Sequence, residues 1–266
     1  MGSEMCIRDS RGGRGGGGTL AGGQSGETPG PGRGQHGVTD VHACGDLGGY
    51  PRRVSDTGYG DFEFERRFWA RDVPPDLLDA SPALIVQSYV LADAGFAIRV
   101  RVQATVEGLV LDPGLDELGI LDRYADQMDF CAITVKGPMN EGTRYEAERE
   151  LDISVGIELV RRGGARVAKT RHSVWLGDDG WVVDTFAGGN APLMIAEVER
   201  GGPVTDLTIP AFCVTEVTSD PRFSNDALAG TPYGTWSAAY DVELATRGPR
   251  FLESLGHNHR TGETTD

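Results

Sequence analysis

The 266-residue sequence predicts an α+β fold that is mainly β-strand and antiparallel. Many of its segments alternate charged and apolar residues with the two-residue period of a β-strand. Each such segment carries one dominant sign of charge, whereas solvent-facing strands commonly mix acidic, basic and hydroxyl side chains. A few short stretches have the period or the flanking residues of a helix. We therefore expect a strand-rich domain in which one face of the sheet is charged throughout.

The first predicted strand is the segment Glu63-Phe64-Glu65-Arg66-Arg67-Phe68. Because successive side chains of a strand point to opposite faces, Glu63, Glu65 and Arg67 share one face and the phenylalanines share the other. Taken alone, the segment also fits an amphipathic edge strand with a wet polar face. Repetition of the pattern along the chain favours a shared charged face instead.

Later segments repeat this alternation, with basic and acidic strands kept separate. Their charged positions are Arg99, Arg101, Lys136, Arg144, Glu146, Glu148, Glu150, Lys169, Arg171, Asp184, Glu197 and Glu199. If the strands close into a barrel, the charged faces converge inside it. Carboxylates there would hold divalent cations, and the arginines and lysines would hold a polyanion. Both signs of charge in one cavity predict a phosphate compound bound together with a metal ion.

Two helices and a hairpin are predicted between the charged strands. A turn at Asp112-Pro113-Gly114 precedes a short acidic helix from Asp116 to Met128, which is either a surface insertion or a flap over one mouth of the barrel. Ile153 to Arg162 predicts a helix that Gly163-Gly164 ends. Asp178-Asp179-Gly180 predicts a hairpin turn between two strands. All three elements are compatible with an antiparallel barrel.

These residues and motifs together resemble the CYTH, or triphosphate tunnel metalloenzyme, family. That family is marked by an N-terminal Glu-x-Glu-x-Lys strand, which Glu63-Phe64-Glu65-Arg66-Arg67 matches except that Arg67 replaces the lysine. The further motifs that follow in the family's order lie at 87–90, 98–101, 134–137, 144–148, 169–171, 181–186, 195–199 and 216–225. The resemblance covers about Asp61 to Gly230.

The resemblance implies a closed antiparallel eight-stranded tunnel barrel with short flanking helices, in which Mg²⁺ or Mn²⁺ assists the hydrolysis of triphosphates. By motif, the implied metal-binding carboxylates are Glu63, Glu65, Asp184, Glu197 and Glu199. The implied phosphate-binding cations are Arg99, Arg101, Lys136, Arg144, Lys169 and Arg171. Arg67, Lys136 and Lys169 are the candidate catalytic residues. Glu146 and Glu148 match acidic tunnel positions that either bind a second metal or orient the basic groups.

Arg67 is the one departure from the first motif. An arginine keeps the positive charge, but its guanidinium is planar and longer than a lysine amine. We therefore expect phosphate binding to be retained with an altered rate or regiochemistry, which an assay of Arg67→Lys would test.

Hydrolysis of inorganic tripolyphosphate to pyrophosphate and phosphate is the leading function that the resemblance implies. A class IV-type adenylyl cyclase and an organic triphosphatase, acting on thiamine or nucleoside triphosphates, are alternatives that the motifs separate poorly. A non-catalytic polyphosphate-binding module is an alternative of another class. The acidic strands argue against that module, because a pure anion binder gains nothing from carboxylates unless they hold metal.

Composition limits the partners and the location. The net charge of −15 argues against general nucleic-acid binding, since nucleic-acid-binding proteins present basic surfaces. The sequence contains no run of about 18 apolar residues, which is the length that a membrane-spanning helix needs. The scattered cysteines lack any Cys-x-x-Cys pair, so we expect Cys131 and Cys213 to be buried thiols, rather than catalytic ones, in a reducing cytoplasm. The expected partner is a small triphosphate substrate. The sequence leaves open whether the protein forms a homodimer.

The sequence divides into three parts. Residues 1–58 are rich in glycine without an apolar period, which predicts a disordered tail; an RGG-like RNA-binding tail is the functional alternative. The run Met5-Cys6-Ile7-Arg8-Asp9-Ser10 resembles translated sequencing adapter, so we expect the true start to lie downstream. Residues 59–230 would form the barrel, and 231–266 a C-terminal extension that is partly helical or disordered.

Overall fold

Eight strands form a closed antiparallel barrel, as the resemblance implied. The structure is a computed structural model that describes residues 61–78 and 81–261. The predicted N-terminal tail therefore lies outside the described residues. The barrel strands are β1 (Phe62–Ala70), β2 (Ala83–Asp93), β3 (Phe96–Thr105), β4 (Phe130–Lys136), β5 (Thr143–Glu150), β6 (Arg166–Leu176), β7 (Asp179–Phe186) and β8 (Met194–Arg200). Around the barrel their order is β1-β5-β4-β3-β2-β6-β7-β8, and β8 pairs with β1 to close the ring.

Strand β1 closes the barrel because it pairs along both edges. One edge pairs with β8, so that Glu65 lies opposite Glu199 and Arg67 opposite Glu197. The other edge pairs with β5 over its first residues, where Phe62 lies opposite Tyr145. The last residues of that edge pair with β9 (Cys213–Glu216), a short strand outside the ring. In this register the charged residues of β1 lie on the same side of the sheet as the charged residues of β5 and β8.

Two helices cover the outer wall of β2, β3 and β4. Helix α1 (Glu117–Tyr124) begins after Asp116, whose side chain accepts a hydrogen bond from the Gly119 amide. Helix α2 (Ile153–Arg162) spans the predicted residues and begins after Asp152, which caps it in the same way. Both helices bury their apolar faces against strand residues that point away from the barrel interior. The structure thus favours a surface insertion over a flap for the segment that contains α1.

Glycine fixes the turn between β6 and β7. Leu176 pairs with Asp179, so the two-residue turn is Gly177-Asp178, one residue earlier than predicted. Gly177 has a φ of 62°, a left-handed conformation that glycine adopts without steric cost. Asp179 and Gly180 consequently belong to β7.

The chain after β8 covers the barrel from outside and then closes one end of it. A short parallel pair, Thr208–Ile209 with His259–Arg260, lies on the outer side. Residues 217–247, which we call the C-terminal cap, contain α3 (Asn225–Gly230) and α4 (Ser237–Arg247). The short 3-10 turns lie at Pro75–Leu77, Ala125–Gln127, Gly188–Asn190, Pro221–Phe223 and Tyr233–Thr235.

The cap packs on an apolar layer at one end of the barrel interior. Trp69 and Phe186 come from the strands, and Phe223, Tyr233 and Tyr240 come from the cap. The rings of Trp69 and Tyr240 meet edge to face with centroids 5.6 Å apart, and those of Phe223 and Tyr240 with centroids 4.9 Å apart. Aromatic packing therefore seals this end of the barrel and leaves the charged part of the interior beside it.

The expectation for the two cysteines is confirmed in the described part of the chain. Cys131 and Cys213 are free and buried. None of the helices in residues 61–78 and 81–261 is long and apolar enough to cross a bilayer.

Candidate active site

The charged positions predicted from strand alternation face one another inside the barrel. Six of them are buried, and two of these are almost completely enclosed: Lys169 is 2% exposed and Asp184 is 0% exposed. Six others are half-buried, whereas Glu148, Glu150 and Glu199 are exposed. A cavity of about 20 Å³ lies among them, which is room for about one water molecule. Its charged lining includes Glu65, Arg67, Arg99, Lys136, Arg144 and Glu197. The interior is thus filled by its own ion pairs, and a polyanion must exchange partners with them to bind.

Four carboxylates from three strands form what we call the acidic cluster: Glu63 and Glu65 on β1, Glu146 on β5 and Glu199 on β8. Glu65 and Glu199 lie directly opposite each other, a like-charge pairing that destabilises a sheet. Arg144 contacts two members of the cluster, with its Nε 2.7 Å from Glu63 Oε2 and its Nη2 3.1 Å from Glu65 Oε1. Glu63, Glu65 and Glu146 thus have cationic partners, whereas Glu199 has no ion pair among the described residues.

Burial and mutual repulsion change the proton affinity of this cluster. Burial raises the pKa of Glu199 to about 7, and the charges of Glu63, Glu65 and Glu146 act in the same direction. Burial and the charge of Glu63 also raise the pKa of Glu65. Burial alone would raise the pKa of Glu63, but Lys136 and Arg144 outweigh it and hold that pKa well below its usual value.

The cluster has the donor chemistry that Mg²⁺ or Mn²⁺ requires. Hard divalent cations take carboxylate oxygens, and a cation would stabilise the ionised forms of Glu65 and Glu199, which desolvation and neighbouring carboxylates disfavour. Within the described residues, no three acid, histidine or cysteine side chains already stand in a coordinating arrangement. Glu63, Glu65 and Glu199 therefore fit a cation by chemistry and register, and they must shift their side chains to bind one.

Asp184 and Glu197, the other predicted metal carboxylates, have cationic partners. Arg171 holds Asp184 Oδ1 through its Nε at 2.7 Å, and Lys169 and Arg171 both reach Asp184 Oδ2. Although burial opposes ionisation, Arg171 and Lys169 lower the pKa of Asp184 to about 2. Glu197 accepts a hydrogen bond from Arg171 Nη2 at 2.8 Å and lies opposite Arg67 across the strands. Asp184 is thus fully engaged as a counter-ion, and its metal role stays a prediction.

The predicted phosphate-binding arginines are oriented by acids of β5. Arg101 Nη2 lies 3.1 Å from Glu148 Oε1, and Arg99 Nη2 lies 3.5 Å from Glu146 Oε1. Thr134 adds a hydroxyl that donates to Glu148 Oε2 at 2.9 Å. These contacts match the orienting role rather than a second metal site for Glu148. Burial lowers the pKa of Arg101 to about 10.

Lysines contribute two compact positive charges. Lys136 on β4 lies opposite Glu146, pairs with it, and has its Nζ 3.3 Å from Glu63 Oε2. Lys169 on β6 pairs with Asp184. Burial lowers the pKa of Lys169 to about 8, with a further contribution from the charge of Arg171.

Comparison with known proteins decides the family. No protein-family model matches the chain. An inorganic triphosphatase from Nitrosomonas europaea is 30% identical over 173 residues, which are 63% of this chain and 96% of that protein. The chain belongs to the CYTH family. A second inorganic triphosphatase, from Acetivibrio thermocellus, is 32% identical to this CYTH protein over 103 residues, 38% of the chain and 66% of the relative. The crystal structure of an inorganic triphosphatase, at 28% identity, aligns with 63% of the chain and 93% of its own length, with a TM-score of 0.42.

Arg67, the departure from the family motif, points its guanidinium toward the C-terminal cap. Its Nη1 donates to the Phe223 carbonyl at 3.2 Å and its Nη2 to the Thr218 carbonyl at 3.1 Å. Its Nε has no hydrogen-bond partner and lies 3.6 Å from Glu65 Oε1. Both terminal nitrogens of this buried side chain therefore donate to backbone of the cap.

Sequence reasoning assigned no role to Tyr89, Asn225 and Asp226, which also line the cavity of this CYTH protein. Tyr89 is in strand phase with Gln87, whose Nε2 donates to the Tyr89 hydroxyl at 2.9 Å, so alternation could have found it. Asn225 and Asp226 start α3 after Ser224, whose hydroxyl caps the helix. A capped helix start is readable from sequence, but its position at the cavity depends on long-range packing.

Proposed function

We propose that this CYTH protein hydrolyses triphosphates, with inorganic tripolyphosphate as its substrate and pyrophosphate and phosphate as its products. One observation carries the proposal: an acidic cluster, whose member Glu199 has no ion pair among the described residues, lies beside a set of arginines and lysines in one barrel interior. The relatives named inorganic triphosphatases support the same reaction. A small triphosphate would be the partner, and the cytoplasm, where buried cysteines stay reduced, the location.

Substrate binding would proceed by exchange of ion-pair partners. A triphosphate carries roughly four to five negative charges, and guanidinium forks bind phosphate oxygens in a bidentate way. Arg99, Arg101 and Arg144 each pair with a glutamate in this structure. Phosphate oxygens would take over these donors and release the carboxylates. Because catalysis of phosphoryl transfer consists mostly of positioning and charge stabilisation, this exchange would supply most of the protein's contribution.

The carboxylates that Arg144 releases, Glu63 and Glu65, would hold the divalent cation together with Glu199. Asp184 would stay paired with Lys169 and Arg171. A bound Mg²⁺ or Mn²⁺ would neutralise charge on the phosphate oxygens and polarise the phosphorus that is attacked.

Lys169 is suited to protonate the leaving group. When the oxygen of a water molecule bonds to the terminal phosphorus, the bridging P–O bond breaks and the departing pyrophosphate oxygen gains negative charge. The Lys169 pKa of about 8 keeps a transferable proton on Nζ near neutral pH. Lys136, as a compact charge beside the acidic cluster, would follow the charge that develops on the phosphate.

Product analysis with several triphosphates tests the proposal. We expect phosphate release from tripolyphosphate with Mg²⁺ or Mn²⁺ to exceed release from ATP and from thiamine triphosphate, and to stop in the presence of a chelator. Cyclic AMP formed from ATP would contradict the proposal and favour a cyclase. Tight binding of tripolyphosphate without turnover under any metal condition would favour the polyphosphate-binding module.

The double variant Glu63→Gln/Glu65→Gln tests the acidic cluster. Its amides keep the size of the side chains but lose the charge that holds a cation, so kcat should fall by roughly 10²-fold or more. The exposed acids Glu107 and Asp126 provide a matched control, since Glu107→Gln/Asp126→Asn removes the same charge away from the interior. Metal-dependent turnover that persists in the first variant would remove Glu63 and Glu65 from the proposed site.

A further inference from the structure

We propose that Arg67 is a positioning residue that fixes the C-terminal cap on β1 and thereby holds Asn225 against Lys169. The proposal rests on the proposed function, because it concerns the same cavity. It explains why an arginine stands where the family motif has a lysine.

The guanidinium of Arg67 forms a bridge between the barrel and the cap. Two terminal nitrogens donate to two different cap carbonyls, those of Thr218 and Phe223. Both hydrogen bonds are buried, and Arg67 itself is 4% exposed. Buried carbonyls without a donor are costly, so the guanidinium satisfies two groups that would otherwise destabilise the cap.

The bridged segment leads directly to the cavity. Between the two carbonyls the chain turns through Pro221–Phe223, and Ser224 then caps α3. The first residue of that helix, Asn225, lines the cavity and places its Oδ1 3.4 Å from Lys169 Nζ. Movement of the Thr218 and Phe223 carbonyls would therefore displace Asn225 from the lysine that we propose as proton donor.

A lysine at position 67 cannot make the same bridge. Its single amine lacks the planar fork with which a guanidinium reaches two acceptors at fixed angles. The main chain of Arg67 also contacts the cap, through its amide to Thr218 Oγ1 at 3.0 Å and its carbonyl to the Val217 amide at 2.8 Å. These two contacts do not depend on the side chain, so a variant can lose the bridge while the cap stays attached.

The side chain of Arg67 also lies beside the cavity. Arg67 is one of the lining residues, and its Nε, which has no hydrogen-bond partner, lies 3.6 Å from Glu65 Oε1. The side chain thus contacts the cap with its terminal nitrogens and lies next to a carboxylate of the acidic cluster with its Nε.

Hydrogen exchange of the metal-free, substrate-free protein tests the bridge directly. We expect Arg67→Lys to speed the exchange of backbone amides in residues 218–230 while the amides of α2 exchange as in the wild type. The exposed Arg162, which pairs with Glu158 on α2, offers the matched control Arg162→Lys with no change in either region. Unchanged exchange in residues 218–230 of Arg67→Lys would overturn the proposal.

A double-mutant cycle on kcat tests the link to Lys169. If Arg67 acts through Asn225, Arg67→Lys and Asn225→Ala each lower kcat for tripolyphosphate roughly tenfold, and the double variant is no slower than either one. If the two falls in kcat multiply in the double variant, Arg67 acts independently of Asn225, which would contradict the inference. If Arg67→Lys does not fold, Asn225→Ala alone decides, because a wild-type kcat would then overturn the proposal. A wild-type protein without any triphosphatase activity would refute the proposed function, while the exchange experiment would still report on the bridge.

Discussion

Glu199 shows how a carboxylate placed among other carboxylates lowers stability. Its usual pKa is 4.5, and in the folded barrel partial desolvation and the neighbouring glutamates raise it to about 7. Between these two pH values the folded state binds more protons than the unfolded state does. The free energy of unfolding therefore falls as the pH rises through this range and stays low above it.

We predict that Glu199→Gln stabilises the protein in a pH-dependent way. In the presence of a chelator, its free energy of unfolding should exceed that of the wild type at pH 8 because the charge is removed, by roughly 1 kcal/mol or less since solvent screens this exposed side chain. At about pH 3 the difference should nearly vanish, since Glu199 is then protonated in both states. Urea unfolding at the two pH values measures this, and a difference independent of pH would refute the role given to repulsion.

Inward-facing charges were predictable from sequence, whereas the outward-facing Arg66 was not. Alternation places Arg66 on the face of the phenylalanines, yet it is 0% exposed. Its Nε and Nη2 bind both carboxylate oxygens of Glu216 at 2.9 and 2.6 Å, and its Nη1 binds Asn258 at 2.7 Å. These partners lie 150 and 192 residues away in sequence. No local pattern reveals them, because only folding of the C-terminal chain over the outer wall brings them to β1.

At the scale of elements, the helices and strands that were predicted are those whose signals are local. Helix α2 had its apolar period and its glycine end, and the charged strands had their alternation. The motif at 216–225 indicated part of the C-terminal cap, but how the cap packs depends on contacts of single aromatic residues, such as Phe223 and Tyr240, with distant strands. Most of the acidic and basic lining of the site was therefore predictable from sequence, whereas the placement of Asn225 and Asp226 at the cavity was not.

Helix α2 contacts β4 through a glycine. A Cβ added at Gly156 would lie 2.0 Å from Cys131 Sγ and 3.4 Å from Val102 Cγ1. In an exposed helix, replacing glycine with alanine would stabilise by roughly 1 kcal/mol. Here the collision with a buried thiol outweighs that gain.

We predict that Gly156→Ala lowers the free energy of unfolding by about 1 to 3 kcal/mol and that Cys131→Ala partly restores it in the double variant. Removing Sγ eliminates the closest contact but leaves the Cys131 Cβ only 3.1 Å away, so the restoration should be incomplete. Val155→Ala, at a position that is 51% exposed on the same helix, should change stability little. A stabilising Gly156→Ala, measured by urea unfolding, would show that α2 can shift away from β4 without cost.

For the molecule as a whole, closure of the barrel brings the charged faces of separate strands together in one site. Because β8 pairs with β1, residues about 130 positions apart in sequence, such as Glu65 and Glu199, become direct neighbours. From the alternation alone, an open sheet with a solvent-exposed polar face was an alternative. Closure of the barrel excludes it, because the charged faces then lie inside. The net charge of the whole chain is −15, whereas inside the barrel the cations pair with carboxylates.

This distribution of charge predicts that added salt raises kcat/KM. Repulsion between the acidic exterior and an approaching triphosphate acts through solvent, where about 0.15 M salt screens it beyond roughly 8 Å. Attraction inside the barrel acts between buried groups, which salt screens much less. At low substrate concentration and constant free Mg²⁺, kcat/KM for tripolyphosphate should therefore rise about two- to threefold as KCl increases from 20 to 150 mM. A variant that neutralises exposed acids outside the barrel interior, Asp76→Asn/Glu107→Gln/Asp126→Asn, should show a smaller rise from a higher starting value. A steady fall of kcat/KM with salt in both proteins would mean instead that attraction at an exposed, basic entrance controls the approach of the substrate.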